Sequence, residues 1–299
     1  MSRLSRTLGQ EKVAGYVFIA PFIIGLVAFT IIPFFTSLYL AFTDYNVLTA
    51  PKWIGLGNFR RMFFEDKYFW KSFWVTFKFA FIQVPIKLLV SLGVALILSR
   101  NTRATPVYRA AFYIPSLMGG SVAIALTWKQ LFSYNGAINK ITALFGIAPV
   151  KWLSNPDTAL GVLILLGVWQ FGSSMLIFLA AIKNIPQSYH EAAIVDGAGP
   201  VRRFFKIVLP MITPIFFFNL INQTIGAFQA FNSSYLITQG KPLNTTLYYG
   251  VHLYNRAFTY YEMGYGSAMA WFMLLVIACF TALIFRSSSA WVYYESEGK

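Results

Sequence analysis

The chain has 299 residues, of which 57% are hydrophobic and only 11% charged, with 30 Phe, 17 Tyr and 8 Trp. A soluble domain carries roughly 25% charged residues, so this composition belongs in a bilayer. The formal net charge of +14 does not signal nucleic acid, because Lys and Arg are spread over all loops, and a single cysteine, Cys279, excludes a disulfide framework or a cysteine zinc site.

About 20 apolar residues span a hydrocarbon core, and six stretches reach that length: Tyr16–Phe42, Phe73–Leu98, Tyr108–Phe132, Thr158–Ile182, Val208–Ala230 and Tyr265–Phe285. The first is too long for a signal-peptide core and no small-residue cleavage site follows it, so it is expected to be retained. Prolines inside the spans (Pro21, Pro33, Pro85, Pro115, Pro214) predict kinks. Lys and Arg are denser in the N-terminal tail (Arg3, Arg6, Lys12), the second loop (Arg100, Arg103, Arg109), the fourth loop (Lys183, Arg202, Arg203, Lys206) and the C-terminal tail (Arg286, Lys299) than in the other loops. That bias places both termini and the 183–206 loop in the cytoplasm, as an even number of spans requires. The organisation expected is a tail at 1–14, one six-span domain at 15–285 and a tail at 286–299.

Among the outer loops, Gly55–Phe59 leads into Arg60, Arg61, Met62, Phe63 and Phe64, then Tyr68–Lys71. Aromatics mixed with cations suit short helices at the membrane surface. Trp152 fits an interfacial anchor. In the second span, Lys78 lies near the outer end and is expected to snorkel. Lys87 lies deeper, one turn beyond Gln83. Snorkelling toward the cytoplasm is the expected reading, and a cavity role meeting an anionic solute is the lesser alternative.

The 183–206 loop carries the most specific pattern: Glu191-Ala192-Ala193, three residues, Gly197, then nine residues to Ile207-Val208-Leu209-Pro210. Ser188 and Glu191 have capping-box spacing, predicting a helix that starts just after Pro186. Ala192, Ala193 and Ala198 leave a slim face that a partner groove can approach. Gly197 is placed to end that helix at positive φ, and Pro200 suits the first turn of the next.

On the fifth span, Asn219, Asn222, Gln223, Gly226, Gln229, Ala230 and Ser233 recur at three- or four-residue steps, forming one polar and small stripe. Polar side chains in hydrocarbon need a cavity or a partner. Two readings stay open: a solute path, with Phe228, Trp169 or Trp128 stacking on sugar rings, or helix–helix hydrogen bonding. No Gly-x-x-x-x-Gly-Lys-Ser/Thr phosphate loop occurs, and His190 and His252 are the only histidines. Neither ATP binding of that kind nor metal-assisted or triad hydrolysis is expected, and the chain reads as no enzyme.

The loop motif resembles the cytoplasmic coupling loop of ABC-importer permeases. Further pieces extend the resemblance over nearly the full length to six-span permeases of the carbohydrate type: Phe42-Thr43-Asp44-Tyr45-Asn46, Gly55-Leu56-Gly57-Asn58-Phe59, Trp152-Leu153-Ser154-Asn155-Pro156, Ala257-Phe258 before Gly264-Tyr265-Gly266-Ser267-Ala268, and Trp291-Val292-Tyr293-Tyr294-Glu295. One departure is Thr238-Gln239-Gly240-Lys241-Pro242, where the family usually shows two glycines before Pro.

The resemblance implies an all-α integral membrane fold of six transmembrane helices with a cytoplasmic coupling helix, in the inner membrane of a prokaryote. It implies import of sugars or oligosaccharides, with another polar solute such as a glycerol phosphate or acidic oligosaccharide as the alternative, and a non-transporting membrane sensor or assembly subunit as a different class. The partners implied are a second related permease, two ATPase subunits holding ATP and Mg, an extracytoplasmic solute-binding protein and lipid, with no cofactor in this chain. Glu191, Ala192, Ala193, Asp196 and Gly197 match the ATPase-docking motif, and Asn219, Asn222, Gln223, Gly226, Gln229 and Trp169 are the solute-path candidates.

Overall fold

A chain this apolar can cross hydrocarbon only in a conformation that satisfies its own backbone, and helices do so segment by segment. The structure, a computed structural model, describes residues 11–100 and 102–293 and is almost wholly helical. The readings placed on Arg3, Arg6, Tyr294, Glu295 and Lys299, and on the side chain of Lys12, lie outside the described residues. Two compact units emerge: the described residues up to Asp66 together with Leu253–Phe272, and Lys67–His252 together with residues from Met273 on.

In the first unit, α1 (Glu11–Leu26) and α2 (Ile32–Ala41) are joined through a π-helical turn at Val27–Ile31. Together they make an apolar span at Gly15–Ala41, close to the predicted Tyr16–Phe42. Pro33 sits in the first two positions of α2. Its nitrogen has no hydrogen for the carbonyl four residues back, and the wider turn takes up its ring. Pro21 lies within a helix that stays continuous, as Pro85 and Pro214 do in the second unit.

Two short strands follow, β1 (Thr43–Asp44) antiparallel to β2 (Lys52–Trp53), then α3 (Gly57–Phe64), a short helix as expected from the aromatic and basic run. The later residues of that run, Phe69–Lys71, instead open the long helix Phe69–Leu98. Asn58 is buried and its amide donates to the carbonyls of Ala41 and Thr43, at 2.9 Å each. The start of the helix Met263–Ser288 meets the same turn. The Gly264 N–H donates to the Tyr45 carbonyl at 2.9 Å, and a Cβ on Gly264 would stand 2.1 Å from the Thr43 carbonyl oxygen. An ion-pair cluster closes this unit. Asp66, its side chain fully buried, faces Arg256 at 3.3 Å and accepts from the Tyr265 hydroxyl at 2.7 Å, while Glu262 pairs with Arg61 at 2.7 Å and Arg256 at 3.3 Å.

The second unit is organised by α4 (Phe69–Leu98), a strongly apolar helix that carries polar residues on its buried side. Ser72, Thr76, Gln83, Lys87 and Ser91 share the buried stripe with Phe79, Val84, Leu88, Leu92 and Ala95, at steps of three and four residues. Against it pack helices from two broken spans and from the long helix that follows the 183–206 loop. The first broken span is α5 (Thr105–Met118) with α6 (Val122–Leu131), bent by 103°. The short α7 (Ala137–Ala143) comes next. The second broken span is α8 (Pro156–Trp169) with α9 (Gly172–Lys183), bent by 42°. Then come α10 (Gln187–Val195), α11 (Pro200–Arg203), a π-helical turn at Phe204–Val208, α12 (Leu209–Phe228) and α13 (Tyr249–Tyr254), with the C-terminal part of α14 (Met263–Ser288).

Among the described residues four helices are each long and apolar enough to cross a membrane, and the number is six when each bent pair counts as one span. The breaks interrupt the predicted spans at 108–132, where the sequence predicts a kink at Pro115, and at 158–182, where it predicts none. They fall at Gly119-Gly120 and at Gln170-Phe171 rather than at Pro115. Ser121 caps the restarting helix, its Oγ accepting from the Ala123 N–H at 3.2 Å. Each break frees backbone groups, and the two breaks satisfy one another. Ser116 Oγ accepts from the Ser173 N–H at 2.9 Å and donates to the Gln170 carbonyl at 3.4 Å, and the Gln170 amide donates to the Gly119 carbonyl at 3.3 Å.

Trp152 is held by more than an interface. Its indole N–H donates to Asn139 Oδ1 at 2.8 Å, and Asn155 caps α8 by accepting from the Asp157 N–H at 3.0 Å. At the family departure, Lys241 is not among the residues with positive φ, so that position does not require glycine.

The Gly264 contact has a direct consequence. Gly264→Ala drives a methyl into backbone that cannot step aside, and overpacking of this kind costs about 1–3 kcal/mol. A lower melting temperature in detergent is expected for Gly264→Ala, whereas Gly93→Ala, where a Cβ meets nothing within 4 Å, should melt no lower than the parent. Equal melting of the two variants would remove the contact.

Candidate functional site

A polar cavity of about 380 Å³ lies in the second unit where α4, the α5–α6 break, the α8–α9 break and the end of α12 converge. The reason it is polar lies in those elements. The breaks present Gly119, Gly120, Ser121 and Gln170, α4 presents Gln83 and Lys87, and the end of α12 with the segment after it presents Gln223, Gly226, Gln229, Asn232 and Ser233. Apolar walls come from Phe79, Ile124 and Leu166. A cavity of this size lies within the range of about 300–1,000 Å³ that holds small molecules.

Of the solute-path candidates read from the sequence, the structure brings Gln223, Gly226 and Gln229 to this cavity. Asn219, Asn222 and Trp169 do not line it. Asn219 is 2% exposed, and its amide donates back to the Ile215 carbonyl one turn earlier at 3.2 Å. Asn222 is exposed on another side of the helix, and its amide donates to the Phe218 carbonyl at 2.8 Å. Gln223 serves both open readings, because it lines the cavity and also donates to Ser174 Oγ on α9 at 3.0 Å.

The aromatic candidates also pack elsewhere. Trp169 and Trp128 lie against each other with centroids 5.3 Å apart, and Phe228 stacks on Phe280. Gln83, Gln170, Asn232 and Ser121 join the wall without having belonged to the fifth-span stripe. Only the folding of four separate segments, two of them breaks, brings them together. Lys87 is on this wall and 9% exposed, which corrects its expected snorkelling to the cytoplasm.

The 183–206 loop folds as two helices around a tight corner. Pro186, with φ −56° and ψ 135°, precedes α10, which starts at Gln187. The predicted capping box is not formed. No side chain caps this end, because the helix begins one residue before Ser188 and leaves that hydroxyl inside the first turn. The other end agrees with expectation. Gly197 takes φ +71°, its N–H donates to the Ile194 carbonyl at 3.0 Å, and the Ala198 N–H reaches back to the Ala193 carbonyl at 2.8 Å. That double bond pattern satisfies two orphan carbonyls at once. Pro200 is in the first turn of α11.

None of the residues of α10 is buried. Glu191, Ala192 and Asp196 are exposed and Ala193 is half-buried. Val195 is 87% exposed, with Ile194 and Val201 also in the open. Behind this corner the chain end returns. The Tyr293 N–H donates to Thr213 Oγ1 at 2.9 Å, and Trp291 packs its ring near Phe216 and Phe217.

An apolar, helical domain with several candidate membrane spans and a 183–206 loop ended by a positive-φ glycine is what the motifs implied. Comparison with known proteins agrees with it. Residues 12–291 match the family described as binding-protein-dependent transport system inner membrane component. The chain belongs to this family.

The permease is 52% identical over 296 residues to the probable ABC transporter permease protein YesP of Bacillus subtilis, covering 98% of this chain and 96% of that one. It is 34% identical to the probable starch degradation products transport system permease protein AmyD of Thermoanaerobacterium thermosulfurigenes, over 90% of this chain and 91% of that one. Among solved structures, a chain of a bacterial alginate ABC transporter in complex with a pentasaccharide-bound periplasmic protein superposes with a TM-score of 0.81 at 20% identity, covering 96% of the permease and 97% of that chain. That likeness concerns the fold.

The cavity is checked by cysteine scanning in a Cys279→Ser background. Cysteines at Gln229 and Ser121 should react with a small water-soluble thiol reagent in the purified permease, and a cysteine at Asn219 should be protected. Protection at Gln229 together with reaction at Asn219 would put the open space on the other side of α12.

Proposed function

We propose that this permease is half of the translocation pathway of an ATP-driven, binding-protein-dependent importer of sugars or oligosaccharides. Hydrolysis occurs on separate ATPase subunits, and the permease supplies the path and the docking surface. The observation that carries this reading is the pairing of two features. One is an amide-lined cavity of about 380 Å³ and the other is the exposed corner at 187–203 with its glycine-ended helix. Neutral amides such as Gln170, Gln223 and Gln229 both donate and accept, which suits hydroxyl groups. The name printed for AmyD, starch degradation products transport, supports a saccharide as the solute.

In this reading Glu191, Ala192, Ala193, Asp196 and Gly197 form the surface that an ATPase groove receives. The two alanines let the groove come close, and the exposed Ile194 and Val195 supply apolar area to bury. Closure of the ATPases displaces α10 and α11 as one body, because the double hydrogen bond around Gly197 stiffens the corner. Gln223, Gly226 and Gln229 lie on the solute path. The complex contains a second permease, two ATPase subunits and an extracytoplasmic binding protein, and both termini of this chain are cytoplasmic.

Gly197→Val puts a β-branched residue at φ +71°, a conformation costing of order 1–3 kcal/mol, and Glu191→Lys inverts the charge on the docking face. Reconstituted with its ATPase, partner permease and binding protein, each variant should hydrolyse ATP without concentrating solute, with uptake per ATP falling at least about tenfold while assembly is kept. Parental uptake by both variants would refute the docking assignment.

The orientation is tested separately. A cysteine at Ser188 in the Cys279→Ser background should resist an impermeant reagent in intact cells and react in inverted vesicles. Labelling from outside would reverse the topology.

A further inference from the structure

The cavity wall is electrically lopsided. Lys87 is the only charged residue lining it, and no Asp or Glu among the described residues does so. Lys87 is 9% exposed, and among the described residues its ammonium group has neither an ion pair nor a hydrogen-bond acceptor. One helical turn earlier on the same face of α4, Gln83 is 5% exposed, and its Oε1 likewise has no hydrogen-bond partner. A cation held at the depth of a membrane span is costly unless an opposite charge compensates it. The remaining polar wall groups, Gln170, Gln223, Gln229 and Asn232, are neutral and do not supply that charge.

From this arrangement we propose that Lys87 reads a negative charge on the solute, and that the saccharide imported is acidic, bearing a carboxylate as a uronic acid does. The neutral amides meet its hydroxyls and Lys87 meets its carboxylate. The inference rests on the saccharide reading above and adds the substrate class. A carboxylate fits the count of charges better than a phosphate ester does. At neutral pH a carboxylate carries one negative charge for one ammonium, whereas a phosphate monoester carries about −1.5 to −2 and would leave a surplus in a cavity with no second cation. Lysine also suits the task, since its compact ammonium offers three donors from a flexible stem and can follow a carboxylate as the sugar moves.

The test is equilibrium binding to the purified complete transporter, with digalacturonate, its neutral counterpart galactobiose, and glycerol 3-phosphate as probes. The proteins are the parent, Lys87→Arg and Lys87→Gln. A charge-assisted hydrogen bond is about twice as strong as a neutral one, so the parent should hold digalacturonate roughly three- to tenfold more tightly than galactobiose, a difference of about 0.5–1.5 kcal/mol. Lys87→Arg should keep most of that preference. Lys87→Gln should lose it by weakening digalacturonate alone, with galactobiose unchanged within about twofold.

Equal binding of the two disaccharides by the parent would overturn the proposal. So would parallel weakening of both by Lys87→Gln, the result expected if Lys87 instead pairs with a carboxylate of the second permease. Glycerol 3-phosphate bound more tightly than digalacturonate would also overturn it. If Lys87→Gln fails to assemble, the parent's preference and its retention in Lys87→Arg still decide. A parent that binds neither disaccharide refutes the saccharide reading itself, an outcome distinct from equal binding of both.

Discussion

The lack of water in a bilayer core governs this fold. Every backbone amide and polar side chain that leaves the surface must find a partner inside the protein, or a wet cavity, at a cost of several kcal/mol if it does not. α4 shows the consequence most plainly. Beyond Lys78 its outer faces are as apolar as lipid, so hydrophobicity cannot tell inside from outside there, and the buried side of the helix is marked instead by Ser72, Thr76, Gln83, Lys87 and Ser91. Thr76 takes the Tyr249 N–H at 2.7 Å, and Ser91 donates to its own helix. Gln83 and Lys87, left over from such pairing, are the two that face open space.

The same constraint explains why breaks can exist at membrane depth. The ends of α5 and α8 leave carbonyls and N–H groups that no helix satisfies. Ser116 and Gln170 supply the missing partners from the opposite break. Two defects that would each be expensive alone become a hydrogen-bonded pair, and the space they leave is the cavity. The cavity and the broken regularity coincide for a physical reason. Irregular backbone is tolerated only where protein or water can reach it, and the cavity wall is such a place.

In the first unit the signature residues have another explanation. Asn58 holds the end of α2 to the following turn through two carbonyls, and Gly264 lets a helix start against that turn with no room for a methyl group. Asp66, Arg256, Glu262, Arg61 and Tyr265 close into one network in which each buried charge has an opposite partner. These positions are about fit and charge balance within the unit. The 187–203 corner differs, because its apolar residues stand open while the carbonyls at its glycine end are satisfied within the loop.

Much of this was legible in the sequence. The number of apolar stretches, the short helix at Gly57–Phe64, the glycine that ends α10 and the proline that opens α11 all follow from local rules of length, periodicity and φ, which act within a few residues. The stretches at 108–132 and 158–182 were visible as spans, but their breaks were not placed, because composition records apolarity and not direction. The chain turns at Gly119-Gly120 rather than at Pro115, and at Gln170, through contacts between separate helices. Ser188 had the right spacing for a cap but the helix started one residue too early to use it. The polar stripe on the fifth span was visible as a stripe, yet periodicity could not say which of its amides would bond within the helix, as Asn219 and Asn222 do, and which would reach the cavity, as Gln223 and Gln229 do. Lys87 beside Gln83 was plain in the sequence too. That their neighbours on the wall would be neutral was decided only when four distant segments converged, because a side chain's electrostatic surroundings are set by what folding brings near it.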